Sequence, residues 1–295
     1  MKKIIFTSAI ALVSILLFIN VSTGILLYNF QEKIIFHPNP TLVDWKLPLD
    51  KSAGYPNFSE SEDINLTTVD NVRISGTLAK SPNSKGVVLY FHNNNANIWY
   101  TATETVKYSE QGYDVMMLDY RGFGKSEGTI KSEQDIYNDA QAAYDWLKTK
   151  YSESQIIVAG REFGTAPAAK IAELNNPKQL ILDRPFFSGE DFLLQTTPFI
   201  PSQALKYKFP INQMLPKVKA PIAIINSQKS LPIPANSSQR LSKLFKQGDN
   251  YFPESLEIDY SPSEYQKSNK SLEDFDIIWK AHEQKVNEIM SRVMK

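Results

Sequence analysis

The 295-residue chain contains no cysteine and only three histidines: His37, His92 and His282. Without cysteine the chain has no disulfide, no thiolate metal site and no cysteine nucleophile. It also has no excess of charge of one sign, because 32 Lys and Arg balance 32 Asp and Glu. That balance argues against a nucleic-acid partner, whose phosphates require clustered positive charge. Any mechanism that needs an imidazole must use one of the three histidines.

The N-terminal stretch has two basic residues, Lys2 and Lys3, and then no charge until Glu32. A helix of about 20 apolar residues crosses a hydrocarbon core of ~30 Å, so we predict an uncleaved signal anchor over residues 1–29. A cleaved signal peptide, which has a shorter apolar region and a small-residue cleavage site, and a buried core helix are the alternatives. The leading lysines predict a single-pass protein with a cytoplasmic N-terminus and its body on the outer (periplasmic or extracellular) side.

In the remaining residues, 30–295, short apolar runs alternate with amphipathic stretches. The clearest runs are at 86–92, 113–120, 155–160, 179–183 and 221–226. Helical spacing of apolar residues separates several of them, notably in 132–150 and 165–175. This alternation predicts βαβ units and a mostly parallel sheet. In such a sheet, ligands bind beyond the carboxyl ends of the strands, so we expect the functional residues just after the apolar runs.

Several of these segments carry a family resemblance. They include YFHNNNANI (90–98), LDYRGFGKSEG (118–128), VAGREFGTAPAAKIA (158–172), LILDRPFFSGEDF (180–192) and SLPIP (230–234). In this order they resemble the α/β-hydrolase superfamily, and more narrowly its membrane-anchored branch related to serine-peptidase-like and monoacylglycerol-lipase-like hydrolases. The resemblance implies an α/β fold in which an eight-stranded, mostly parallel sheet is flanked by helices. It also implies a small cap at about residues 186–212.

The segment GREFG (160–164) has the spacing of the G-x-S-x-G nucleophile elbow, in which a strand turns sharply into a helix. Its central residue is Glu162 instead of serine, and Phe163 follows. The resemblance also assigns Ser230 to the position of the catalytic acid and Ser263 to that of the histidine. A triad needs a nucleophile, a base and an acid. Three substitutions on one scaffold therefore predict a non-catalytic member of the family.

A carboxylate in a closed pocket must find a cation or become protonated. We therefore predict that Glu162 pairs with Arg184, or failing that with Arg161 or His92. In the family, the loop that His92 and Asn93 open donates an N–H to the oxyanion. The predicted pocket residues are His92, Asn93, Glu162, Phe163 and Arg184.

Two alternatives to a non-catalytic binding or scaffolding protein remain open. One is an active hydrolase of acyl ester, lipid or peptide substrates with an unconventional site around Glu162 and His92. The other is a chain retained only for structural or membrane-associated assembly. The sequence has no phosphate loop, dinucleotide fingerprint or metal-ligand cluster, so we predict no cofactor and no metal. The expected partners are the membrane, through the N-terminal helix, and an unidentified protein or small-molecule ligand.

Overall fold

The computed structural model describes most of the chain. The described residues are 2–40, 49, 58–196, 205–227, 233–234, 236–245, 251–256, 284 and 287–294. Ser230 and Ser263, which were predicted to occupy the acid and histidine positions, lie outside these residues, as does His282.

A single long helix, α1 (Lys2–Ile35), begins the described chain. Leu, Ile, Val and Ala dominate it, and the first proline is Pro38, so nothing interrupts the helical hydrogen bonds. The helix is long and apolar enough to cross a membrane, and its most apolar stretch is not buried against the rest of the protein. It continues six residues past the boundary predicted at residue 29.

The core of the domain is one eight-stranded sheet, which confirms the predicted architecture. Its strands are β1 (Glu60–Thr67), β2 (Arg73–Lys80), β3 (Val87–Phe91), β4 (Asp114–Leu118), β5 (Ile156–Arg161), β6 (Gln179–Asp183), β7 (Ile222–Ser227) and β8 (Tyr251–Leu256). The spatial order is β1-β2-β4-β3-β5-β6-β7-β8. The pairs β1–β2 and β2–β4 are antiparallel, and all pairs from β4 to β8 are parallel.

Helices cover both faces of the sheet. They are α2 (Ile98–Thr101), α3 (Val106–Ser109), α4 (Glu133–Lys148), α5 (Thr165–Leu174), α6 (Gly189–Thr196), α7 (Ile211–Met214) and α8 (Ser237–Ser242), and residues 287–293 are also helical. Side chains of β3 alternate between two buried clusters, because successive residues of a strand point to opposite faces. One cluster contains the apolar faces of α4 and α5, and the other contains α2, α3 and residues 289–294.

The register of the parallel strands brings the segments after β3, β5 and β6 to one edge of the sheet. Phe91 lies opposite Gly160, and Arg161 lies opposite Asp183. We call this the carboxyl edge. The predicted cap, residues 186–212, follows β6 at the same edge and includes α6. Residues 197–204 of that segment lie outside the described chain, so the bounds of the cap stay a prediction.

Candidate functional site

The predicted elbow is present where β5 passes into α5. Glu162 has a left-handed backbone conformation, with φ of 51°, and begins the short turn Glu162–Gly164. A Cβ on Gly160 would overlap the carbonyl of Gly164, and a Cβ on Gly164 would overlap the carbonyl of Phe91. Both glycines are therefore required by space. A left-handed conformation at a residue with a side chain costs about 1–3 kcal/mol, so the surrounding structure imposes this turn.

The Glu162 carboxylate forms an ion pair with Arg184, as the sequence predicts. The distance from Arg184 Nη2 to Glu162 Oε1 is 2.8 Å. The geometry is that of a charge contact and not of an aligned hydrogen bond, because Arg184 Nη2 makes no hydrogen bond within the described residues. Arg184 also has a left-handed backbone, with φ of 54°. The two side chains are largely but not wholly buried, with exposed fractions of 15% and 22%.

The pair belongs to a larger ionic cluster at the carboxyl edge. Its members come from the ends of β5 and β6, from the turn between α2 and α3, and from α3 itself. The further ion pairs are Arg161–Glu104 at 2.5 Å, Lys107–Asp183 at 3.5 Å and Arg184–Asp183 at 3.7 Å. With Glu162, the cluster has three cationic and three anionic side chains and no net charge. We call these six residues the edge cluster.

Burial and neighbouring charge act in opposite directions on members of the edge cluster. Burial alone raises the pKa of Asp183, but Lys107, Arg161 and Arg184 together hold that pKa below its ordinary value. Burial alone lowers the pKa of Arg161, but Asp183 and Glu104 raise that pKa above its ordinary value. Both groups are therefore ionised at neutral pH. Attraction between members offsets the cost of removing them from water.

His92, a predicted pocket residue, lies against Asp119 and two aromatic rings. Its Nδ1 is 2.7 Å from the carbonyl oxygen of Asn93, and its Nε2 is 3.6 Å from Oδ1 of Asp119. The ring packs on Tyr120 and Phe123, with centroid distances of 4.5 and 5.6 Å. Burial lowers the pKa of His92 to about 4, so the imidazole is neutral at neutral pH. With Arg161 bound to Glu104, both fallback partners of Glu162 contact other carboxylates.

Asp119 is a buried acid whose role the sequence analysis did not assign. Burial raises its pKa to about 7, although the backbone N–H groups of Ile98 and Lys125 donate to it and lower the pKa. With Nδ1–H of His92 donating to the Asn93 carbonyl, Nε2 is left as an acceptor that faces the Asp119 carboxyl group. The loops after β3 and β4 are joined by two hydrogen bonds: the Ile98 backbone N–H donates to Asp119 Oδ1 at 2.9 Å, and the Tyr120 hydroxyl donates to the His92 carbonyl at 2.9 Å.

Phe163 and Asn93, the other predicted pocket residues, differ in their surroundings. The ring of Phe163 is buried and meets Phe36 and Phe209 edge to face at centroid distances of 5.4 and 5.3 Å. The side-chain oxygen of Asn93 is buried and has no hydrogen-bond partner within the described residues. The structure thus brings Phe163 into an aromatic cluster beneath the elbow. No group of three metal-ligating side chains occurs in the described part of the chain.

The end of α1 packs directly against this site. Phe36 contacts Phe163 and also Tyr207, at a centroid distance of 5.0 Å. Gln31 is buried and accepts a hydrogen bond from the backbone N–H of Lys206, while Glu32 accepts one from the Tyr207 hydroxyl at 2.9 Å. Sequence reasoning gave these residues no role in the site. Their one local signal was the apolar run of Ile34, Ile35 and Phe36 placed directly after two charged residues, Glu32 and Lys33.

The sheet order and the elbow define an α/β hydrolase. Residues 82–247, more than half of the chain, match the family model described as serine aminopeptidase, S33. The chain belongs to this α/β-hydrolase family. The esterase Pf2001 of Pyrococcus furiosus shares the fold, with a TM-score of 0.62 and 20% identity over 88% of this chain and 100% of that one.

Two curated relatives cover about half of the chain. WAV2 of Arabidopsis thaliana, an α/β-hydrolase domain-containing protein, is 36% identical over 184 residues, which are 59% of this chain and 58% of that protein. YNL320W of Saccharomyces cerevisiae, described as a membrane protein, is 29% identical over 149 residues, which are 50% of this chain and 51% of that protein. This chain therefore spans less than two thirds of either relative.

Proposed function

We propose that the protein is a membrane-anchored pseudohydrolase, which uses a hydrolase fold for binding or scaffolding without catalysing hydrolysis. The observation that carries this proposal is the ion pair between Glu162 and Arg184 at the elbow. The tip of the elbow, where a nucleophile belongs, holds a carboxylate engaged by a guanidinium. A binding role fits two features of the site. The edge cluster is neutral and preorganised, and the strained turn at Glu162 is still present.

The chemistry of a carboxylate nucleophile supports the same proposal. An ester formed on Glu162 needs water activated by a base for its release. Of the two histidines that the structure describes, His37 is exposed, and both ring nitrogens of His92 face groups other than Glu162. The resemblance assigns serines, Ser230 and Ser263, to the acid and histidine positions. Neither serine can replace an imidazole as a base near neutral pH.

The membrane part of the proposal rests on α1 and its charges. The helix is long and apolar enough to span a bilayer, and Lys2 and Lys3 favour a cytoplasmic N-terminus. The body then lies on the outer side as a single-pass protein. Its ligand, a protein or a small molecule, binds at the carboxyl edge, as ligands do in open parallel sheets.

A hydrolase assay on the purified full-length protein tests the absence of catalysis. We expect no turnover of short-chain acyl esters and no covalent labelling by a fluorophosphonate, because the elbow has no serine. Glu62→Ala removes an exposed carboxylate far from the elbow and serves as the matched control for Glu162→Ala. Ester turnover that is lost in Glu162→Ala and kept in Glu62→Ala would falsify the proposal.

A gain-of-function variant gives a second readout in the same assay. Glu162→Ser restores the hydroxyl at the elbow but neither a base nor an acid. We therefore expect it to stay inactive towards the same esters and probe. Fluorophosphonate labelling of Glu162→Ser would mean that a base already activates that position, and the pseudohydrolase assignment would then be wrong.

A further inference from the structure

The outer end of α1 carries the residue types that mark a membrane–water interface. Tyr28 and Phe30 are about half exposed, at 50% and 47%. Lys33 lies over the Phe30 ring, 5.7 Å from its centroid. Tyrosine is concentrated at the headgroup level, and lysine near a helix end extends its amine towards water. Residues 28–33 therefore mark the level at which α1 leaves the hydrocarbon.

The domain contacts α1 at this same level. Lys206 lies over the Tyr28 ring, 4.5 Å from its centroid, and its backbone N–H donates to Gln31. Gln31 is three residues after Tyr28, which is a rise of about 4.5 Å along a helix. Because α1 is unbroken to Ile35, no linker separates the membrane-spanning part from the domain. The part of the domain that surrounds Gln31 must therefore lie at the membrane surface.

That part of the domain is the carboxyl edge of the sheet. Asn39, just beyond α1, accepts hydrogen bonds from the Asn97 side chain and from the Gly124 backbone N–H. Asn97 follows the end of β3, and Gly124 follows the end of β4. Phe36 contacts Phe163 in the elbow itself. The chain thus leaves the membrane along the site and not along the amino ends of the strands.

Exposed apolar side chains are concentrated on the same edge. Outside α1, the described part of the chain exposes six large ones: Val69, Trp99, Tyr100, Leu174, Leu194 and Leu244. Trp99 and Tyr100 follow β3, and Leu194 lies in α6 after β6. Val69 is in the turn between β1 and β2, next to Asp70, which pairs with Arg121 at the end of β4. Four of the six therefore lie at the carboxyl edge.

We propose that the carboxyl edge rests on the bilayer that holds α1, with Trp99 and Tyr100 in the lipid interface. The partner of this surface is a phospholipid membrane. A ligand that binds at the elbow therefore reaches the elbow from the membrane side. This inference goes beyond the proposed function. It rests on α1 as a membrane span but not on the absence of catalysis.

The absence of cysteine makes a direct test possible, because each introduced cysteine is the only one in the chain. Four single-cysteine variants of the full-length protein are spin-labelled in phosphatidylcholine vesicles. Trp99→Cys and Tyr100→Cys report on the proposed contact. Asn176→Cys, an exposed position just before β6, reports on the amino edge, and Leu17→Cys reports on the membrane span. The measurement compares collisions of each label with oxygen and with a water-soluble nickel chelate.

Labels at positions 17, 99 and 100 should collide mainly with oxygen, and the label at 176 mainly with the nickel chelate. One outcome is that the label at 17 is shielded from the nickel chelate while the labels at 99 and 100 are as accessible to it as the label at 176. That outcome would overturn the docking and leave the pseudohydrolase proposal intact. Chelate access at 17 would overturn the membrane span and the docking together. Leu194→Cys, on a separate element, provides an independent repeat, which should give the same result as position 99.

Discussion

The Glu162 carboxylate and the Arg184 guanidinium both belong to residues with a left-handed backbone at the ends of neighbouring strands. Each side chain is placed by its turn and not by its own rotamer preference alone. Because the turns are fixed, the loss of one partner leaves the other charge in a largely buried position. Breaking such a pair costs more than the pair itself contributes.

Arg184→Met therefore lowers the free energy of unfolding by about 1–3 kcal/mol, less than for a fully buried pair because water still reaches both side chains. Adding Glu162→Gln recovers part of this loss, since no unpaired charge remains. The measurement is urea unfolding of the single and double variants, followed by circular dichroism. Arg73→Met, which breaks the exposed pair with Glu127, is the control and costs less than about 1 kcal/mol. Equal losses in the two Arg→Met variants would contradict this account.

Asp119 and His92 give stability opposite dependences on pH. The pKa of Asp119 rises from 3.8 to about 7 on folding, so between these values the folded state holds more protons and stability falls as pH rises. The pKa of His92 falls from 6.5 to about 4, so the unfolded state holds more protons and stability rises with pH. Between about pH 4 and 6.5 the two effects oppose each other.

Asp119→Asn removes the contribution of Asp119 to the pH dependence of stability and leaves the contribution of His92. The free energy of unfolding should then rise with pH by up to about 1.4 kcal/mol per pH unit more steeply than in the unchanged protein. Urea unfolding at pH values from about 4.5 to 6.5 measures this slope. Asp63→Asn makes the same substitution at a partly exposed position and serves as the matched control. Identical slopes in both variants would show that Asp119 is ionised throughout the range.

At the scale of elements, the elbow could be predicted because its requirements are local. A buried strand, two glycines at fixed spacing and an alanine-rich helix follow one another within about 20 residues. Arg184 could be predicted as the partner of Glu162 because neighbouring parallel strands end at one edge. Glu104 and Lys107 could not be predicted, since residues 98–109 form short helical turns without a helical apolar period. Only the packed fold brings that segment over Arg161 and Asp183.

One aromatic side chain, Phe36, is buried at the junction between α1 and the domain. Phe36 is 3% exposed and meets two other rings edge to face. Phe36→Ala should lower the free energy of unfolding by about 3–5 kcal/mol, because it removes a buried ring and leaves a cavity. Thermal unfolding of the full-length chain in vesicles, followed by near-ultraviolet circular dichroism, measures this change.

Phe30→Ala is the matched control for Phe36→Ala. Phe30 is six residues before Phe36, near the end of α1, and it is 47% exposed in the structure. Its loss leaves no cavity in the domain, so the melting temperature should change little. If both substitutions lowered it equally, the rings would act through the membrane and not through the contact with Phe163.

At the scale of the whole molecule, alternating apolar and amphipathic segments predicted the parallel sheet and its helices. They do so because each strand or helix must bury one face, and the spacing of its own apolar residues shows which face that is. The contact of Phe36 with Phe163 and Tyr207 joins residues more than a hundred positions apart and leaves no local pattern. The apolar N-terminal run predicted an anchor over residues 1–29, and the alternating segments predicted a domain over residues 30–295. In the structure the helix continues to Ile35, and Phe36, directly after it, contacts the elbow residue Phe163.

With α1 spanning the bilayer as proposed, its unbroken course couples rotation of the helix in the membrane to the orientation of the domain that follows it. Successive residues of a helix are turned by about 100°. Each face of α1 therefore points in a fixed direction relative to the domain. A neighbouring helix that recognised one stripe of α1 would thereby select which side of that body it meets. Lateral assembly in the bilayer and the facing of the bodies above it would be a single event.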